Sequence, residues 1–501
     1  MNDVIAKDNE DSLLVFTKLS EAFERCEEYA APYLNLVALF FGDLMRSLTG
    51  YALRRNELQG PWAPPQDLTT EVLRGYPYIG YRDILRGVDL GEKEFQIGGT
   101  GVRRWLGVCK WESESYLKSL LYNGGSNRLK RIGMTPHLSH RDQVLSLLAR
   151  KGIHANSWAC QAIPIPNRSQ QLRELRKTVC EICEVLELPD RPQTTAALME
   201  QHILARSREE DPPDNLPYSA ILTGSLMASH SLFPAALGRF SGVPVIGVAH
   251  GEFDGVVDEP AVGYTECTFA DIRIGYGPEA GRLPENHGYR KSLYTAPKYI
   301  TADSNFIRSR YVDEVVEPLG ALESKVMIYV PAQFYGQHRY GPFHVMADQL
   351  YLAWQQKLFQ EFPDMILKRH PKELRPKLFP CNAVRVVYDL LEECLDQADI
   401  FVFDIFSGAM CIAAATSKPI IYFHLGLRNF TEIGERAIRQ RCIWIDVVPP
   451  GEHVDLRGRI DAQMAQPKIN ILSQPFCLGE ENGSVRREQT IFKTVCEIVG
   501  R

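Results

Sequence analysis

The sequence contains no segment built to leave water. No apolar run approaches the roughly 18 residues a membrane-spanning helix needs. The opening residues, MNDVIAKDNEDS, lack the basic-then-apolar order of a secretory leader. A cytoplasmic protein is expected, with no transmembrane segment and with room for peripheral membrane contact. Positive charge is not in excess: 56 Lys and Arg stand against 62 Asp and Glu, a formal net charge of -6. A broad nucleic-acid surface is therefore not expected, while a local basic pocket stays open. Cysteine has no pattern either. Cys180-x-x-Cys183 has no second pair and no preceding strand, so neither a zinc knuckle nor a redox pair is expected. The twelve cysteines lie among apolar residues and read as reduced and largely buried. No D-x-D stands at a convincing strand end, so no metal is expected, and no organic cofactor is implied. Gly98-Gly99-Thr100-Gly101 lacks the lysine and spacing of a phosphate loop and reads as a turn. Arg103 and Arg104 behind it read as surface residues. No internal repeat is visible.

With 501 residues, the chain is long enough for two domains or more. Apolar periodicity predicts helix over 12–48, broken near Pro32, and a loop at 60–65. Further helices are expected at 142–150, 169–188 and 195–208, and a strand at 157–163. From 218 the pattern sharpens. Strand 218–223, helix 226–240, a Gly-Val-Pro turn and strand 245–249 make one βαβ unit. A second unit spans 398–423: apolar run 400–403, an Ala-rich helix over 409–416, Lys418-Pro419, then apolar run 420–423. Between them, strands are expected at 270–274, 299–302, 326–330, 365–367 and 385–388. Helices are expected at 348–362 and 391–397, with Asp303-Ser304-Asn305 capping one near Phe306. A strand at 442–447 and a helix at 489–498 close the chain. The fold class is α/β, with two Rossmann-like parallel-sheet domains facing across a cleft.

Three strand tips carry chemistry. His250 follows strand 245–249, with Gly251 behind it and Glu252 and Asp254 nearby. Imidazole is the side chain best matched to proton transfer near neutrality. Either carboxylate could serve as the base instead, or the group could only bond locally. Lys368, Arg369, His370 and Lys372 surround Pro371 at the next tip. Proline restrains the imidazole before it, and the cations suit a phosphate, although a solvated basic turn gives the same pattern. Asp404, Ser407 and Gly408 follow strand 400–403 at a helix start, where free amides favour an anion. Alternatively, Asp404 or Ser407 only caps the helix. The loop carrying Gln333, Tyr335, His338 and Arg339 also lies beyond a strand. A nucleotide-activated donor on the second domain, with acceptor chemistry from the first, accounts for all three tips.

These residues resemble a known group. Val248-Ala249-His250-Gly251, His370-Pro371, and Asp404-x-x-Ser407 before an Ala-rich helix and Lys418-Pro419 are similar to bacterial surface-polysaccharide transferases of the GT-B fold. The nearest are the capsule-type transferases using CMP-activated Kdo or sialic acid, and the CDP-glycerol glycerophosphotransferases. UDP-GlcNAc 2-epimerases are more distant. The resemblance covers about 218–425 and departs from the usual double serine, since Gly408 follows Ser407. It implies that His370 and Ser407 contact the donor phosphate and that His250 is a catalytic or positioning residue. It implies a glycosyltransferase that takes a sugar from a CMP, CDP or UDP donor to a carbohydrate or lipid-linked glycan acceptor. A glycerophosphotransferase, an epimerase and a non-catalytic carbohydrate-binding protein are the alternatives. The expected organisation is an acceptor-side domain over 1–318 with a helical extension, a donor domain over 319–483, and a helix over 484–501 docking across them.

Overall fold

The computed structural model describes the chain from residue 130 onward, apart from short stretches of which 187–199, 333–347 and 370–382 are the longest; before residue 130 it describes Leu14, Thr17, Lys18 and Glu21. The rest of the helical run expected over 12–48, the loop at 60–65, the turn at 98–101, Arg103 and Arg104 lie outside the described residues.

Two six-stranded sheets, parallel throughout, carry the fold. The first runs β2-β1-β5-β6-β7-β8, with β1 Lys130–Met134, β2 Ile153–Ser157, β5 Ala220–Thr223, β6 Val245–Val248, β7 Ile272–Tyr276 and β8 Lys298–Ala302. The second runs β11-β10-β9-β12-β13-β14, with β9 Met327–Val330, β10 Ile366–Lys368, β11 Val386–Val387, β12 Ile400–Phe403, β13 Ile420–His424 and β14 Ile443–Asp446. A parallel sheet is covered on both faces, so its strands are apolar without a break. The run Ile400–Phe403 is buried at every position. Taken in chain order, the second sheet reads 3-2-1-4-5-6, the Rossmann order, and its direction reverses between β9 and β12. The expected α/β class with two parallel sheets is what the structure has.

The helices that matter below are α1 (Arg141–Ala149), α2 (Arg168–Val185), α3 (Ser229–Phe240), α4 (Glu279–Arg282), α5 (Asn305–Arg310), α6 (Asp348–Glu361), α7 (Leu391–Cys394), α8 (Gly408–Ala414), α9 (Glu432–Arg441), α10 (Leu456–Met464), α11 (Ser473–Cys477) and α12 (Arg487–Gly500). Cys180 and Cys183 lie within α2, Cys183 buried and Cys180 half-buried. None of the described helices is long and apolar enough to cross a membrane.

Two long-range connections tie the sheets together. The segment after β6 meets the loop after β13 in an antiparallel bridge, Val257 to Phe430. Asp258 N donates to Asn429 O at 2.9 Å and Thr431 N to Val256 O at 2.9 Å. Both segments leave the carboxyl ends of their sheets, so the two tip regions meet. The second connection is α12. It follows the second sheet in the chain but packs on the first, burying Ile491, Val495 and Val499 beside Ile132, Leu222 and Val248. Each such side chain contributes about 1.5–3 kcal/mol.

Some local expectations need correcting. β2 ends at Ser157, where the expected strand over 157–163 begins, and it follows the turn at Gly152, φ 71°, directly after α1; residues 158–162 lie outside the described residues. Residues 163–164 and 207–208 instead form a separate two-stranded pair, β3 and β4, so the helix expected to reach 208 stops before it. Much of that helix lies outside the described residues. Ser304, at the N-cap position of α5, makes no side-chain capping bond, and Asp303 pairs with Arg308 at 3.1 Å.

Candidate active site at the strand tips

At the β9–β12 reversal the apolar strands end in a buried polar cluster. Asp404 directly follows β12 and is 0% exposed. It accepts from Tyr329 on β9, from the Tyr351 hydroxyl at 2.7 Å, from the Trp354 indole at 3.1 Å and from Ala332 N at 2.8 Å. Tyr351 and Trp354 lie one turn apart on the inner face of α6. Gln355 joins the network through Tyr329 at 3.4 Å. Burial raises the Asp404 pKa, and the four donors oppose that rise. The same burial, reinforced by the carboxylate, pushes the Tyr329 and Tyr351 hydroxyls up, so both stay donors.

Asp404 thus neither caps α8 nor reaches an open crevice. It pins the loops after β9 and β12 together. Ser407 stands at the N-cap position of α8, yet makes no side-chain capping bond. It is half-buried, as are Gly408 and Ala409. Of the expected anion contacts on this tip, Ser407 and the Gly408 amide are the groups left at its surface. Lys418 is occupied elsewhere: its amine donates to Leu395 O and Ala398 O, both at 2.6 Å, tying the end of α8 to the start of β12.

β10 lies on the other side of β9, so its tip and that of β12 are about 10 Å apart, two strand spacings. Lys368 and Arg369 are both buried. The Lys368 amine donates to Arg369 O at 3.1 Å. Burial lowers its pKa, against the charges of Cys394, Glu392, Asp389 and Glu393 around α7. The Arg369 amide closes the ladder with Val387 O at 2.9 Å. His370 and Lys372 lie outside the described residues, as do Gln333, Tyr335, His338 and Arg339.

On the first domain, His250 and Glu252 lie outside the described residues, but both ends of their segment are described. Ala249 N closes the β6 ladder on Ile274 O at 2.8 Å. Asp254, expected among the proton acceptors, is 0% exposed. It pairs with Arg273 of β7 through both carboxylate oxygens, at 3.1 and 3.2 Å. Glu266 takes a second guanidinium nitrogen at 2.9 Å and accepts from Leu226 N at 3.2 Å. This pairing makes Asp254 an anchor for the segment. Gly255 then turns the chain with φ 81° against Ala280 N, where a Cβ would sit 2.7 Å away. From the second domain Thr431 closes the junction: its hydroxyl donates to Gly255 O at 2.7 Å and accepts from Gly434 N at 3.0 Å, capping α9.

Sequence reasoning missed these supporting residues. One signal was available: Tyr351, Trp354 and Gln355 put three polar tips on the inner face of one helix, which requires a buried partner. Arg273 gave a second, a lone cation within an apolar strand.

No family model matches the chain, and no curated protein matches it. Several solved structures show a loose likeness. The glycosyltransferase SnogD from Streptomyces nogalater is 15% identical with a TM-score of 0.32, over 74% of this chain and 100% of its own. The spinosyn forosaminyltransferase SpnP is 12% identical with a TM-score of 0.31, over 77% and 96%. The glycosyltransferase SsfS6 from Streptomyces sp. SF2575, complexed with thymidine diphosphate, is 11% identical with a TM-score of 0.28, over 68% and 96%. TM-scores of this size decide nothing about the chemistry of this chain.

Proposed function

We propose that the chain is a glycosyltransferase, moving a sugar from a nucleotide-activated donor to a carbohydrate acceptor hydroxyl in surface-polysaccharide or glycan synthesis. One observation carries the reading. The reversal point of a Rossmann-ordered sheet, where such sheets take their ligands, is built around a fixed carboxylate, and the loop after the adjacent strand β13 is bridged to residues 256–258, downstream of the first sheet's β6 tip. In this reading His370, Lys372, Ser407 and the Gly408 amide receive the donor phosphates, with Lys368 and Arg369 supplying positive charge behind them. Asp404 holds the loop that carries Ser407 and Gly408 against the loop after β9. His250 takes the proton from the acceptor hydroxyl, with Glu252 as the second proton acceptor. The acceptor oxygen bonds to the anomeric carbon, the bond from that carbon to the phosphate oxygen breaks, and the nucleotide leaves as an anion stabilised by cations and amides. The donor is of CMP, CDP or UDP type, and the acceptor is a carbohydrate or lipid-linked glycan. We place the donor domain at 319–483 and the acceptor domain at 1–318.

The test is a thermal-shift screen with CMP, CDP, UDP and GDP, followed by turnover with the matching sugar donors. One nucleotide is expected to stabilise the protein. His370→Ala should weaken that nucleotide about tenfold, the loss of one charge-assisted bond. Ser407→Ala should weaken it several-fold while leaving the melting temperature unchanged, since the hydroxyl caps nothing. His250→Ala should lower turnover with affinity retained. Absence of binding by all four nucleotides overturns the reading, and interconversion of free nucleotide sugars would make the chain an epimerase.

A further inference from the structure

We infer that Arg487, the first residue of α12, is a positioning residue for the His250 tip; the inference rests on the role proposed above for His250. Arg487 is 1% exposed. Its guanidinium donates to the carbonyl oxygen of Ala249 and lies over the Tyr276 ring, 4.3 Å from its centroid. Ala249 has already used its N–H to close the β6 ladder, so its carbonyl is the first group beyond the sheet. That carbonyl and the N–H of His250 belong to one planar peptide unit. A donor that fixes the carbonyl direction therefore fixes where the His250 backbone starts. A charge-assisted bond in a buried site is stiff enough to do this.

Helix docking does not account for the arginine. The helix is already held by Ile491, Val495 and Val499 in the first core, and by Lys130, whose amine donates to Val499 O at the far end. An apolar side chain at 487 would add to that packing without the several kcal/mol cost of burying a guanidinium. The other end of the segment is held in the same manner, by Arg273 on Asp254. Two buried arginines thus bracket 249–254, one from the domain's own sheet and one from a helix whose chain has just left the second domain. There, Cys477 of α11 accepts from Ser304 N at 2.9 Å, and Glu488 accepts from the Asn305 amide at 2.5 Å. The tip that carries the proposed base is thereby tied to the chain crossing between the domains.

The test uses the full chain with ring-labelled histidine. The His250 imidazole signal is assigned by its loss in His250→Ala. Arg487→Met should displace that signal and lower turnover about 10–100-fold, the cost of misplacing a reacting group by about an ångström. Its affinity for the nucleotide bound by the wild type should stay within twofold. Arg487→Lys should restore most of both. Thr494→Ala, a buried change on the same helix, should leave the signal where it is. A signal unmoved in folded Arg487→Met overturns the inference, and so does an equal displacement in Thr494→Ala. If Arg487→Met does not fold, Tyr276→Leu removes the ring under the guanidinium and must displace the same signal. Should no donor support turnover, the proposed reaction fails, while the imidazole signal still decides the role of Arg487.

Discussion

The tips of the two sheets are held by opposite means. At the second, every partner of Asp404 comes from the same domain: two tyrosines, a tryptophan and one amide on elements that pack around β9 and β12. At the first, the segment after β6 borrows its supports. Arg273 is local, but Thr431 and Phe430 come from the second domain and Arg487 from the terminal helix. A tip built this way is held within its own domain. The first tip is contacted by both domains and by α12. In the proposed reaction this division is useful, because the proposed base follows a tip held by the same contacts that tie the two sheets together.

Breaking each support tests the contrast. The largest effect is expected from Arg273→Met, which leaves Asp254 and Glu266 buried without their cation and should cost about 4–5 kcal/mol in denaturant unfolding. Asp254→Asn should lose both stability and turnover. Were Asp254 a surface base, turnover would fall with stability intact.

Asp404→Ala follows. It takes their carboxylate acceptor from the Tyr329 hydroxyl, the Trp354 indole and the Ala332 amide, while the Tyr351 hydroxyl keeps the Ala332 carbonyl at 3.2 Å, for about 3–4 kcal/mol confined to the second domain. Hydrogen exchange should rise in β9, β12 and α6 and stay level around 249–258. The pH dependence has a definite sign. The folded pKa of Asp404 is raised by burial above the unfolded value of about 3.9. Its contribution is fully present below that value and is lost as pH rises through the raised one. Asp404→Asn should flatten this decline, and a wild-type curve that instead gains stability across the window from this group would contradict the burial argument.

The smallest effect is expected at Gly434→Ala. Its Cβ would press on the Val256 carbonyl and stand 2.9 Å from Val256 Cα, for about 1–3 kcal/mol. Here the exchange pattern should reverse, rising at 249–258 although the change lies in α9. Equal protection loss in both tips would erase the distinction between them.

Much of this architecture could be read in advance, for a physical reason. Strands covered on both faces are solid apolar runs, and Ile400–Phe403, Ile420–His424 and Met327–Val330 stand where the pattern predicts them. The polar residues ending such runs are fixed to the tips by chain connectivity alone, so the three tip positions were legible as well. The edges of elements were less so. Ile153–Ser157 alternates polar and apolar residues, and its first four residues were not expected in a strand, because the turn at Gly152 gives little signal on its own.

The work done by each polar side chain was not legible. Asp404 finds its side-chain partners 50 to 75 positions earlier in the chain, Arg273 reaches 19 back, and Arg487 reaches 238 back. Local sequence reports the period of burial, since that is set by each residue's own backbone. A carboxylate at a strand end reads the same whether it will meet an anion, a tyrosine or an arginine. Only packing distant elements together chooses among them, because the cost of burying a charge is met by whichever donors the fold brings within about 3 Å. Two doubly covered sheets were thus written in the pattern of the chain, while the division into an internally fixed tip and a borrowed one came from contacts no short window contains.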